Sequence, residues 1–214
     1  MENVIEPFFY IAVLIFSVVI HEVSHGFVAL ALGDRTAKYA GRLTLNPIPH
    51  LDLFGSILLP ALLIITQSPF LIGWAKPVPY NPYNLRNKRW GPAWVGAAGP
   101  LANLSLSLVF GLAIRFLPST LGIFPGAFLM NFMSIASSIV FINVMLAVFN
   151  LVPIPPLDGS KVLFSVLPYQ WRGVEAFLEQ YGFMILLFFI FFFSHWLLPI
   201  VLLLFRLITG GYPF

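Results

Sequence analysis

Five runs of apolar residues alternate with short polar stretches along this chain, at positions 8–32, 53–75, 90–114, 128–149 and 180–205. A hydrocarbon core about 30 Å thick needs about 20 apolar helical residues, so the first, third and fourth runs each predict a crossing helix. The second run has no charge but is broken by Gly55, Pro60, Pro69 and Gly73. Those breaks predict a segment that enters and returns on one side, with protein covering the interrupted backbone. The last run holds no Asp, Glu, Lys or Arg, and reads as one tilted helix or as two segments divided near Ser194, His195 and Pro199.

A different period holds between the first two runs. Lys38, Ala40, Arg42, Thr44 and Asn46 alternate with Tyr39, Gly41, Leu43 and Leu45, which is strand periodicity. Residues 74–83 contain three prolines, so they too are expected to be extended, at a sheet edge. The expected fold is a membrane all-α, multi-pass helical bundle of about four to six transmembrane segments. A short membrane-associated β-hairpin or re-entrant region follows its first helix, and one domain spans residues 1–214.

Composition narrows the function. Hydrophobic residues make up 59% and charged residues 9% of the 214, against about a quarter charged in soluble domains. Disorder, nucleic-acid binding and ordinary cytosolic enzymology are thereby disfavoured, and the net charge of +3 reflects loop residues rather than a phosphate-binding face. The first ten residues carry Glu2 and Glu6 without a basic residue, unlike a cleavable signal peptide, so the first run is expected to persist. Arg35, Lys38 and Arg42, then Lys76, Arg86, Lys88 and Arg89, then Lys161 and Arg172 mark cytoplasmic stretches. By the positive-inside tendency, residues 118–126 and the N-terminus lie outside.

With no cysteine, any metal site must use imidazole and carboxylate. Ionisable side chains inside apolar runs are costly and usually functional. The first run holds His21-Glu22-Val23-Ser24-His25, an HExxH string. On a helix the two histidines share a face and reach one metal ion, while Glu22 is rotated to stand beside it as a general base. The string also arises by chance, but three polar groups within five residues of an apolar run call for a shared reason such as a metal or a wet cavity. A catalytic zinc takes three protein ligands and keeps one position for water. His50, His195, Asp52, Asp158, Glu175 and Glu179 are the candidates for the third. Two crossings after His25 the chain returns to the same side just before Asp158, which makes Asp158 the expected ligand.

Together with Asn150-Leu-Val-Pro-Ile-Pro-Pro-Leu-Asp158-Gly159, the HExxH string resembles the site-2 protease family of intramembrane zinc metalloproteases. Gly99-Pro100-Leu101-Ala102-Asn103 resembles that family's central-helix motif. The strings from Gly41 to Pro47 and from Gly73 to Pro79 resemble its short bacterial and archaeal branch, which lacks PDZ and CBS domains. The resemblance implies a metalloendopeptidase with one Zn2+ held by His21, His25 and Asp158, and a membrane-protein substrate cut within or near a transmembrane segment. It implies a multi-pass protein of a prokaryotic cell membrane, with the site nearer the cytoplasmic face. Asn150 and Asn103 are the expected substrate-binding or oxyanion-binding residues. Asn150 reads alternatively as a cap on the helix break, and Asn103 as a bond to a neighbouring helix. The two extended segments would offer an edge to an unwound substrate or would plug the site. A metal-ion transporter using the same polar residues, or a silent scaffold, are the rival functions. No repeated half supports the first, and the intact Glu22 argues against the second.

Overall fold

Length and apolarity fix the frame. The computed structural model describes residues 5–67, 73–120 and 126–211. Helix α1 (Ile5–Ala31), α4 (Gly91–Thr120) and α5 (Gly126–Asn150) each run 25 to 30 residues, about 38–45 Å at 1.5 Å per residue. Between α1 and α4 lie the short α2 (Thr36–Tyr39) and α3 (Leu59–Ile65), the latter preceded by a wider π-type turn over Leu53–Leu58. After α5 come α6 (Asp158–Val166), α7 (Arg172–Phe193) and α8 (Leu197–Thr209). Four helical stretches among the described residues are long and apolar enough to cross a membrane: Phe9–Ala31, Gly91–Leu117, Leu129–Asn150 and Tyr169–Thr209.

The last stretch resolves a sequence ambiguity. α7 and α8 are joined through a tight 3-10 turn at Ser194–Trp196 rather than by a loop, so residues 180–205 form two helices almost end to end. Only α8 is packed deeply. Its Val201 and Phe205 are buried against Ile114 of α4 and Met133, Ala136, Val140 and Val144 of α5. α7 keeps Phe183, Phe188, Phe191 and Phe192 exposed, as a lipid-facing helix does.

α4 is the hub, packing against α1, α5, α6 and α8. Lipid tails are as apolar as leucine, so helices in a bilayer associate through close packing and small residues rather than hydrophobic expulsion. Gly96 and Gly99 serve that purpose on α4. A Cβ at Gly96 would lie 2.9 Å from the Asp158 carbonyl oxygen and from Lys161 Cβ, so glycine is what lets α6 lie against α4.

The expected β-hairpin is not formed: no strand occurs among the described residues. Residues 36–39 are helical instead, and Gly41 at φ +66° turns the chain away. Residues 74–81 are extended, as their prolines require, but their N–H groups go elsewhere. Trp74 N–H donates to the Gly55 carbonyl (3.1 Å) and Lys76 N–H to the His50 carbonyl (2.9 Å). Val78 N–H donates to the Glu22 carboxylate (2.8 Å) and Asn81 N–H to Asp34 (2.6 Å). Pro77 and Pro79 have no N–H, so the regular series of donors that a ladder needs is broken. The Trp74–Gly55 bond, with Ser56 Oγ donating to the Trp74 carbonyl (2.8 Å), brings the two ends of the broken apolar run together. Positions 68–72 of that run, and 121–125 of the expected outer loop, lie outside the described residues.

Candidate metal centre

Two stripes on α1 build the site. His21 and His25 lie one turn apart and face α4. Glu22 and Gly26, also one turn apart, face the extended segment, where Gly26 leaves room for Val78 and Leu43. Both histidines are buried, at 5% and 6% exposure. His21 Nδ1 donates to Asn103 Oδ1 (2.5 Å), and His25 Nδ1 donates to the Val95 carbonyl (2.6 Å). Asn103 is wholly buried, and its amide orientation is set by its other bonds: Nδ2 donates to Asn143 Oδ1 (2.7 Å) and to the Ser17 carbonyl (3.2 Å). Asn143 Nδ2 donates in turn to Ser17 Oγ (2.9 Å).

Both acceptors on the Nδ1 side are carbonyl oxygens, so both imidazoles carry their proton on Nδ1 and present an Nε2 lone pair. These lone pairs converge on Asp158, with Oδ2 at 2.9 Å from His21 Nε2 and 3.0 Å from His25 Nε2. Burial opposes ionisation of Asp158, and the Lys161 ammonium, 2.7 Å from its Oδ1, favours it. Two imidazole lone pairs within 3.0 Å of one carboxylate oxygen, buried and already ordered from behind, repel unless a cation lies among them. The donor set therefore fits a divalent metal favouring nitrogen and oxygen ligands.

Gly159 is needed for space. It follows Asp158 at the start of α6, and a Cβ there would run into the Leu151 and Val152 carbonyl oxygens. Gly159 thus permits a close backbone approach between the start of α6 and the segment after α5. Asn150 ends α5, and its Nδ2 donates to the Leu146 carbonyl (2.9 Å); it also lines a cavity of about 200 Å³ with His21, Glu22, His25, Asp158 and Lys161. Asn103 lies behind His21 and is not among the cavity-lining residues.

The other ligand candidates have different work. Asp52 Oδ1 accepts the Gly55 N–H (2.7 Å) and caps the turn before α3. His50 is buried, with Nε2 donating to the Thr44 carbonyl (2.9 Å). His195 and Glu179 are exposed, and Glu175 is half-buried on α7. Sequence reasoning missed Ser17, Asn143 and Tyr80. Ser17 and Asn143 were detectable as polar residues inside apolar runs, the same signal that exposed His21.

This is a helical membrane protein with a buried two-histidine, one-carboxylate centre and a second carboxylate beside it, the class of a membrane metallohydrolase. The comparisons name the family. The profile of peptidase family M50 matches residues 119–193, which carry Asn150 and Asp158. YwhC of Bacillus subtilis, named as a zinc metalloprotease, is 39% identical over 175 residues, covering 81% of this chain and 76% of that protein. Rip2 of Mycolicibacterium smegmatis, named likewise, is 31% identical over 192 residues, covering 86% and 69%. MJ0611 of Methanocaldococcus jannaschii is 40% identical over 81 residues, 37% of each chain. No solved structure matches. The chain belongs to peptidase family M50, the site-2 protease family, and is a metalloendopeptidase of the membrane.

Proposed function

We propose that this zinc metallopeptidase hydrolyses peptide bonds within or beside transmembrane segments of membrane proteins, near the cytoplasmic face. The observation that carries this reading is the convergence of His21 Nε2, His25 Nε2 and Asp158 Oδ2 on one point, on and between helices of membrane-spanning length. His25 stands six residues before the end of α1, about 9 Å along the axis. By the distribution of Lys and Arg, that end is cytoplasmic.

His21, His25 and Asp158 hold the zinc, which when bound supplies a Lewis acid that acidifies water and polarises the scissile carbonyl. Glu22 then takes the proton of the attacking water and returns it to the leaving amine. One oxygen of Glu22 accepts the Val78 N–H, and this bond orients the carboxylate toward the cavity. Asn150, on the cavity wall, offers its amide to the substrate backbone. Asn103 and the Val95 carbonyl fix the imidazoles, so that the ligands need not reorganise. The substrate's own helix shields its peptide bonds, so the cut segment enters unwound, alongside residues 76–80.

The test is cleavage of a single-pass model substrate in detergent by wild type and Glu22→Gln, with zinc counted in each. Glu22→Gln keeps an acceptor for Val78, so zinc stays bound while cleavage falls by about 10²–10⁴-fold, the usual worth of a general base. Equal cleavage by the two proteins refutes Glu22 as the base.

A further inference from the structure

Lys161 belongs to none of the motif strings, yet it reaches the metal centre. Its Nζ donates to Asp158 Oδ1 at 2.7 Å, while Oδ2 of the same carboxylate faces the two imidazoles. Lys161 sits one turn into α6, where a positive charge opposes the helix dipole, and it is half-buried while the Asp158 carboxylate it meets is buried. The side chain is also enclosed on both flanks. Gly96 of α4 leaves room for its Cβ and Cδ, and its Nζ lies 5.6 Å from the centroid of the Tyr80 ring on the extended segment.

We propose that Lys161 is a positioning residue that makes Asp158 a one-oxygen ligand. A carboxylate is free to bind a metal through one oxygen or both. With Oδ1 held by an ammonium, only Oδ2 faces the histidines, and a coordination position remains for water. Tyr80, stacked over the same ammonium, links this state of Asp158 to the segment beside which the substrate lies. The inference rests on Asp158 being the third metal ligand.

The test uses cobalt(II) in place of zinc in the full-length protein, because its visible absorption reports coordination number. Lys161→Met is expected to bind cobalt about tenfold more weakly, the low end for losing an outer hydrogen bond to a ligand. Its absorption should weaken severalfold as Oδ1 joins the metal, with kcat reduced and KM held. Lys161→Arg should restore the spectrum, and Lys161→Ala is read in the same way where Lys161→Met does not accumulate. A wild-type cobalt spectrum and affinity in the Met or Ala variant overturns the proposal. So does a rise in KM alone, which would make Lys161 a substrate contact. Asp158→Ala separates the underlying reading: loss of cobalt sustains the ligand set, whereas retention with an unchanged spectrum refutes it independently of Lys161.

Discussion

Replacing Gly99 by alanine should empty the metal site of a protein that still folds. A Cβ at position 99 would lie 2.5 Å from both His21 Nε2 and His25 Nε2, and real Cβ atoms essentially never come closer than 3.0 Å to a neighbour. Either the rings or α4 must retreat by at least about half an ångström. The rings cannot retreat freely, because their Nδ1 atoms are bound to α4 itself on either side of Gly99, at Asn103 (2.5 Å) and Val95 (2.6 Å). Moving them away stretches both bonds. Ligand atoms keep to within about 0.2 Å of their ideal distance from a metal, so a half-ångström displacement at two of three ligands is decisive. We expect at least about a hundredfold loss of zinc affinity, or about 2.8 kcal/mol at about 1.4 kcal/mol per decade. Overpacking of one methyl costs about 1–3 kcal/mol, less than the 5–15 kcal/mol of ordinary domain stability. The assay is zinc content after purification, with chelator competition and thermal unfolding in detergent. Gly173→Ala, with nothing within 4 Å of the added methyl, is the control and should match wild type. A Gly99→Ala protein with one zinc per chain at wild-type affinity would refute this placement of the metal.

Other substitutions report on the supports. Asn103→Leu removes the acceptor for His21 Nδ1 and leaves Ser17 and Asn143 short of a partner. Zinc affinity should fall by about 10–100-fold, with partial recovery in Asn103→Asp; unchanged chelator competition would exclude an orienting role. Asp34, in the turn after α1, is buried, which opposes its ionisation. Hydrogen bonds from the Thr36 hydroxyl, the Asn81 N–H, the Asn84 amide and the Thr36 N–H outweigh this and lower its pKa. A depressed folded pKa gives stability that is complete above the unfolded value of about 3.9 and is lost as pH falls through the folded value. Asp34→Asn should therefore lower the unfolding temperature at pH 7, with the gap to wild type closing in acid; a gap that is constant from pH 7 to pH 2 contradicts this.

What the sequence exposed, and what it hid, follows from range. The spacing of His21 and His25 is local: four residues on a helix share a face whatever the surroundings. Asp158 is 137 residues from His21, yet it was reachable by counting crossings, because a bilayer reduces topology to an alternation of sides. The β-hairpin failed for the opposite reason. Alternation in residues 38–46 and prolines in 74–83 describe local backbone preference, whereas a ladder needs free N–H and C=O groups on two strands. Here tertiary acceptors at Gly55, His50, Glu22 and Asp34 took them first. Lys161 was legible only as a loop charge, since its role depends on which oxygen of Asp158 it meets.

The candidate metal centre is in the end a property of one helix pair and its register. Ser17, His21 and His25 are spaced by four on α1, and Val95, Gly99 and Asn103 by four on α4. The helices run antiparallel, so Ser17 meets Asn103, His21 meets Asn103 and Gly99, and His25 meets Gly99 and Val95. Sliding one helix by a turn, about 5.4 Å, would leave His21 without an acceptor and set Asn103 against an apolar surface. In a bilayer that mismatch is expensive, because no water fills in for a missing partner. The polar residues that build the site therefore also specify the packing around it. The small residues of the Gly96–Pro100 stretch serve both tight packing and space at the site. Close approach at Gly96 seats α6 and hence Asp158, and the missing Cβ at Gly99 leaves the space that the Nε2 lone pairs face. The register that satisfies the buried polar groups of α1 and α4 is thus the one that brings His21 and His25 to a common point beside Asp158.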